Sequence, residues 1–286
     1  MNFRTIPVFV LAAGAATFAL AASRDSIDNI GETRLKGPLG EKLDRMVAGH
    51  VIGTDVDYIT APFLEKTETK GWWQTEFWGK WMHSAVPYSV YTRSAALGAS
   101  IDHGIDRMLA SQEKDGYIGN YPDELRCGEG WDVWGMKYTM MGLLHYYDGE
   151  RGTGNGERRT GNGERGKKAL EAAKRLCDYV IAEIGPNGRR GRELWQTGNW
   201  SGYASSSILE PVVWLYRRTN DKKYLDFATY IVKGMTEPAK GPRLLDLALK
   251  GKRIAVAPVD EALDGGYGVE HEHRVRERGI LLDVRT

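Results

Sequence analysis

Apolar residues recur at helical spacing over most of the chain, and the places where the spacing breaks predict the elements. From Lys80 to Leu97 the pattern is helical with an interruption at Pro87, and a second helical run covers Ile101 to Leu109. The turn signal Lys114-Asp115-Gly116 follows. Val133 to Tyr147 predicts a third helix rich in Met, Leu and Tyr. Lys168 to Ile184 predicts a fourth, with Leu170, Ala173, Leu176, Val180 and Ile181 on one stripe and Gly185-Pro186-Asn187-Gly188 as its stop. A fifth runs from about Ser206 to Arg218 and a sixth from Lys223 to Lys233, joined by Thr219-Asn220-Asp221. No segment before the tail shows the two-residue period of a strand with comparable strength, so the expected fold class is all-α.

Tyr91-Thr92 leads into Ile101 to Gln112, Tyr146-Tyr147 into Ala169 to Glu183, and Leu215-Tyr216 into Tyr224 to Lys233. In each stretch a helix closes on tyrosine, passes a polar link and gives way to a similar helix. That is a repeated helix hairpin. Such pairs bury their apolar faces only against neighbours, in an open solenoid or a closed toroid; three pairs make half of a six-pair toroid. The expected organisation is a signal peptide at 1–22, a polar leader at 23–69, a partial toroid at 70–250 and an atypical tail at 251–286. Within the toroid, 151–166 is read as an expanded solvent loop, because Thr153-Gly154-Asn155-Gly156-Glu157-Arg158 recurs as Thr160-Gly161-Asn162-Gly163-Glu164-Arg165. Phosphate cradling by this Gly-rich tandem is disfavoured, since no G-K-[ST] follows and no strand precedes.

Composition changes the picture in two ways. With 39 basic and 38 acidic residues in 286, the chain has no broad field to draw it to nucleic acid or an anionic membrane, so a neutral partner is expected. The amino terminus joins Arg4, an apolar stretch from Ile6 to Ala22 and the ending Ala19-Leu20-Ala21, the pattern of a cleaved secretory signal. Its length also approaches the lower limit of an anchoring helix. Export to the periplasm or the medium, with no membrane span after cleavage, is the expectation. The two cysteines, Cys127 and Cys177, cannot build a zinc cage by themselves; pairing after export and two separate small apolar residues both remain open.

Eight of the nine tryptophans fall in three clusters: Trp72, Trp73, Trp78 and Trp81; Trp131 and Trp134; Trp195 and Trp200. Each cluster lies at the start of a hairpin's first helix, so a repeat array gathers them into one aromatic-lined mouth. Aromatic faces cover the C–H faces of a sugar while carboxylates, ammonium groups and amides bind its hydroxyls. Glu76, Lys80, Asp132, Lys137, Asn199 and Glu210 supply those groups beside Trp78, Trp81, Trp134 and Trp200. The competing account makes the tryptophans core and Asp132 a helix cap. No serine sits in G-x-S-x-G, and the histidines form no H-E-x-x-H; His271-Glu272-His273 lacks further ligands and reads as solvated tail.

Glu76-Phe77-Trp78-Gly79-Lys80-Trp81, Asp115-Gly116-Tyr117-Ile118-Gly119, Trp131 to Tyr147, and Ser205-Ser206-Ser207-Ile208-Leu209-Glu210-Pro211 together resemble glycoside hydrolase family 127, the β-L-arabinofuranosidase family, over about residues 70 to 250. The resemblance implies an (α/α)6 toroid and an exported enzyme that hydrolyses, with retention, glycosidic bonds of plant or microbial polysaccharide. It further implies a cysteine nucleophile held on zinc by more cysteines and a glutamate. Those residues belong to a later part of the family than the part matched, and neither Cys127 nor Cys177 stands in a matching motif. Past Gly265-Gly266-Tyr267-Gly268 the chain departs from the family pattern, so truncation or a frameshift near His273, an open toroid and an inactive product are expected. Three alternatives keep their own signatures: a two-carboxylate mechanism pairing Glu76 with Asp132 or Glu210, a uronide hydrolase or lyase with a basic mouth, and a non-catalytic glycan-binding repeat.

Overall fold

The computed structural model describes residues 34–66, 72–151, 163–199, 202–236 and 249–250. The expected signal peptide, Trp200, most of the tandem Gly-rich loop and the tail from 251, with His271-Glu272-His273, lie outside them. Among the described residues every regular element is helical, as expected, and no helix is long and apolar enough to cross a membrane.

Three hairpins follow in order: α3 (Glu76–Thr92) with α4 (Ala95–Ser111), α5 (Asp132–Arg151) with α6 (Gly163–Glu183), and α8 (Leu209–Thr219) with α9 (Lys222–Thr236). A one-turn α7 (Tyr203–Ser206) leads into the third. The first helices are side by side, α5 lying between α3 and α8, while α4 touches α6 behind them. An inner row of α3, α5 and α8 thus backs onto an outer row, the arrangement that stacked hairpins require.

Boundaries moved where local chemistry outweighs periodicity. Pro87 does not break α3, which continues to Thr92. The chain turns instead at Arg93, whose backbone is left-handed (φ 55°), and α4 begins where the Ser94 hydroxyl accepts the Leu97 N–H at 3.2 Å. The end of the Gly-rich tandem is not solvent loop: Gly163-Glu164-Arg165 opens α6, and the Arg165 guanidinium forks onto Asp106 of α4 at 2.8 and 3.1 Å. A planar fork matched to a carboxylate gives these residues a reason to order that their composition conceals.

The segment read as a polar leader folds. It contains α1 (Gly37–Met46), a π-helical turn over Val47–Ile52 and α2 (Val56–Glu65). Val47, Val51, Val56 and Phe63 from it are buried in the common core. The π-helical turn lies beside α3 and α2 beside α4, so this segment adds a further helix pair ahead of the first expected one. Trp81 fastens the junction, its indole Nε1 donating to the Val51 carbonyl at 2.9 Å.

Tight helix contacts depend on missing side chains. A Cβ on Gly79 of α3 would lie 2.1 Å from the Tyr138 carbonyl oxygen on α5. A Cβ on Gly142 would lie 2.6 Å from the ring of Trp78, which is fully buried between α4 and α5. Burying such a ring contributes about 1.5–3 kcal/mol or more, provided the glycines leave it room. Cys127 and Cys177 are both buried and unpaired.

Candidate functional site

The inner helices present one continuous polar and aromatic face. On α3, Glu76, Lys80 and His83 follow at i, i+4 and i+7, which places them on one side of the helix. On α5 the matching side carries Trp134, Lys137, Tyr138 and His145; on α8 it carries Glu210 and Trp214. Contacts across the helices confirm the register. The Trp134 indole N–H donates to Glu76 Oε2, and Lys80 Nζ pairs with Glu76 Oε1 at 2.7 Å while lying 5.0 Å from the Tyr138 ring centre. Rings of Trp134 and Tyr138 meet edge to face at 5.2 Å, with Trp131 against Trp134 at 5.7 Å.

Lys137 is at the centre of this group. Its side chain is buried, with Nζ 4.8 Å from the Trp134 ring centre and 4.3 Å from that of Tyr138. Burial pushes its pKa down; the Glu210 carboxylate pulls it back up, Lys80 lowers it further and Glu76 raises it. Tyr138 is held above its ordinary value first by burial and then by the Glu76 and Glu210 charges. No carboxylate among the described residues comes within ion-pair distance of Lys137, and the Trp134 and Tyr138 ring faces lie against its ammonium.

About two helical turns along the same face, roughly 10 Å by helix rise, lies a second group. His145 Nε2 and His83 Nδ1 share a hydrogen at 2.7 Å, and the Trp214 ring meets His145 edge to face at 5.2 Å. Beside them Arg218 forks onto Asp148. Burial and His83 depress His145 to about 4, opposed by Asp148 and reinforced by Arg218. An unfolded chain takes up this proton near 6.5 and the folded chain only near 4. Acidification through that interval therefore favours unfolding, with a loss on the order of 2–3 kcal/mol as pH falls from 6.5 towards 4. Urea midpoints across this range should fall more steeply for the wild type than for His145→Gln; equal slopes would refute the assignment.

Several expected site residues are elsewhere. Trp78 and Trp81 are core, and Asp132 is an internal anchor rather than part of the open face. Its Oδ1 accepts from the Tyr117 hydroxyl at 2.7 Å and its Oδ2 from the Cys127 N–H at 2.8 Å. Burial pushes the Asp132 carboxyl up, and the Cys127 and Tyr117 hydrogen bonds oppose that rise. With both oxygens engaged, Asp132 is not placed to serve as the partner of Glu76 in a two-carboxylate mechanism. Trp195 packs on Tyr230 of α9 at 5.4 Å, so the aromatic clusters do not all converge. Asn199 is half-buried in the loop before α7. Conversely Tyr138, His83, His145 and Trp214 join the face without having been singled out; each stands three or four residues, or a whole number of turns, from one that was.

Residues 41–241 match the family described as beta-L-arabinofuranosidase, GH127 catalytic domain. The chain belongs to this family. A relative from Bifidobacterium longum subsp. longum, a non-reducing end beta-L-arabinofuranosidase, is 25% identical over 167 residues, covering 54% of this chain and 22% of that protein. This GH127 chain therefore spans about a fifth of the length of that curated relative. Zinc held by cysteines, which the family resemblance implies, does not fit the residues described here. Cys177 lies on outer helix α6, and burial raises both thiols, the reverse of what a thiolate ligand needs. Among the described residues no group of three His, Cys, Asp or Glu is placed to hold a metal ion.

Proposed function

We infer that this glycoside hydrolase family member is exported and binds the terminal L-arabinofuranose unit of a plant or microbial polysaccharide on the face formed by α3, α5 and α8. Lys137 carries the argument. Its stem is buried against the Trp134 and Tyr138 rings and its ammonium has no carboxylate partner among the described residues, so its donors can meet a ligand, and those rings with Glu76 and Glu210 suit a neutral, hydroxyl-rich ring. Mixed charge around the rings favours a neutral sugar over a uronate. The secretory pattern at 1–22 supports export, so that the protein meets polysaccharide outside the cytoplasm. Similarity to the Bifidobacterium non-reducing end beta-L-arabinofuranosidase supports arabinofuranoside as the sugar class.

In this reading the described helices bind and orient. Lys137 and Lys80 donate to ring hydroxyls, Glu76 and Glu210 accept, and the aromatic rings cover the sugar's apolar face. No hydrolytic step is assigned to the described residues, and binding without turnover by this chain is the proposal. Titration with methyl β-L-arabinofuranoside should change tryptophan fluorescence, and Lys137→Met should weaken binding by about ten- to a hundredfold, the effect of losing charged hydrogen bonds. Unchanged affinity in folded Lys137→Met would refute the site.

A further inference from the structure

Beyond the inner face, a pocket of about 300 Å³ opens between α2 and the start of α3. Tyr58, Pro62 and Glu65 of α2 face Gln74 and Phe77 across it. Trp73 packs edge to face on one of these lining residues, Phe77, at 5.2 Å. Tyr58 is 67% exposed and Trp73 45% exposed, and only Tyr203 joins them as an exposed large aromatic among the described residues. Tyr58 thus lines the pocket and Trp73 backs one of its walls, where neither is needed to fill the core. Aromatic walls beside an amide and a carboxylate hold a neutral sugar as the inner face does. The cavity is at the small end of ligand sites, sufficient for one sugar unit rather than a large cofactor. Lys66, next in sequence, is engaged by the Ser111 and Gly119 carbonyls and by Glu113.

We propose that this pocket is a second glycan-binding site, which holds an internal neutral sugar unit of the polysaccharide whose terminal unit enters the inner face. Phe77 follows Glu76 directly, and neighbours on a helix point about 100° apart. The pocket and the inner face are therefore different sides of the same helix end, about one helix diameter, ~10 Å, apart. A glycan crossing the start of α3 reaches both. The inference rests on the sugar-binding reading above but predicts a different length dependence.

The test uses the full chain with methyl β-L-arabinofuranoside and a series of β-L-arabinofuranosyl oligosaccharides from the disaccharide upward, measured by calorimetry. Tyr58→Ala should leave binding of the methyl furanoside unchanged and weaken the longer oligosaccharides about five- to tenfold, in line with one lost aromatic contact. Trp134→Ala should abolish binding of the methyl furanoside and leave a residual oligosaccharide affinity that Tyr58→Ala then removes. Glu65→Gln gives a second, isosteric probe of the pocket. Oligosaccharide affinities unchanged in both Tyr58→Ala and Glu65→Gln, with wild-type circular dichroism, would overturn the proposal. Tyr58-dependent oligosaccharide binding without any binding of methyl β-L-arabinofuranoside would uphold the pocket while removing the inner-face reading.

Discussion

Gly79→Ala should cost the protein at least about 3 kcal/mol, at the upper end of what overpacking does in a close-packed core. The added methyl would lie 2.1 Å from the Tyr138 carbonyl oxygen and 2.4 Å from its carbonyl carbon. Both are backbone atoms in the middle of α5, so no rotamer change relieves the contact; α3 and α5 must part. The same contact sets the site's geometry. Glu76 lies one turn before Gly79 and Trp134 one turn before Tyr138, so separation of the helices breaks the Trp134–Glu76 hydrogen bond and opens the Lys80 and Lys137 ring contacts. Chemical denaturation should therefore show a lowered midpoint, and whatever folded protein remains should bind sugar poorly. A Gly79→Ala protein with the wild-type midpoint and affinity would show that the helices are not held at this distance. Gly49→Ala is the control: nothing lies within 4 Å of its added methyl, and its effect should be small.

The hairpin repeat was legible because its apolar spacing is regular, and α5 and α6 lie close to where periodicity put them. The stripe on α6 was read slightly off its centre: Ala169, Ala173, Leu176, Cys177 and Val180 are buried, while Leu170 and Ile181 are only partly so. The first helix pair was not legible, since a π-helical turn at Val47–Ile52 and Pro62 within α2 interrupt the 3.6-residue period on which the reading relied. The site is a different case. Glu76, Lys80, Trp134, Lys137 and Glu210 were singled out, but by proximity along the chain rather than by helical face, so His83, Tyr138, His145 and Trp214 were missed. Trp78 and Trp81, two and five residues from Glu76, turn away from it; Lys80 and His83, four and seven residues on, turn with it. The same rule joins Lys137, Tyr138 and His145 to Trp134 and sends Asp132 to the other side. Room for Trp78 between Gly104 and Gly142 is a long-range fact that no local pattern contains.

Asp132→Ala should be the most damaging change outside the inner face, about 3–5 kcal/mol, because it removes the acceptor from two buried donors at once. One is the Tyr117 hydroxyl, which also accepts the Tyr121 N–H at 3.0 Å and whose ring lies 3.7 Å beneath the Arg126 guanidinium carbon. The other is the N–H of Cys127, a non-glycine residue in the left-handed region (φ 52°) that this hydrogen bond helps to hold there. Arg126 in turn pairs with Glu113 at 2.8 Å, so the whole connection from α4 to α5 converges on one carboxylate. Asp132→Asn should cost less, about 1–3 kcal/mol, since its amide oxygen keeps one donor while its amide nitrogen faces the other. If Asp132 instead touches the sugar, Asn and Ala would both reduce binding with little change in stability. Stability loss ordered Ala greater than Asn, with unaltered methyl β-L-arabinofuranoside affinity in the folded fraction, assigns it to the scaffold that positions Trp134 and Lys137 further along α5.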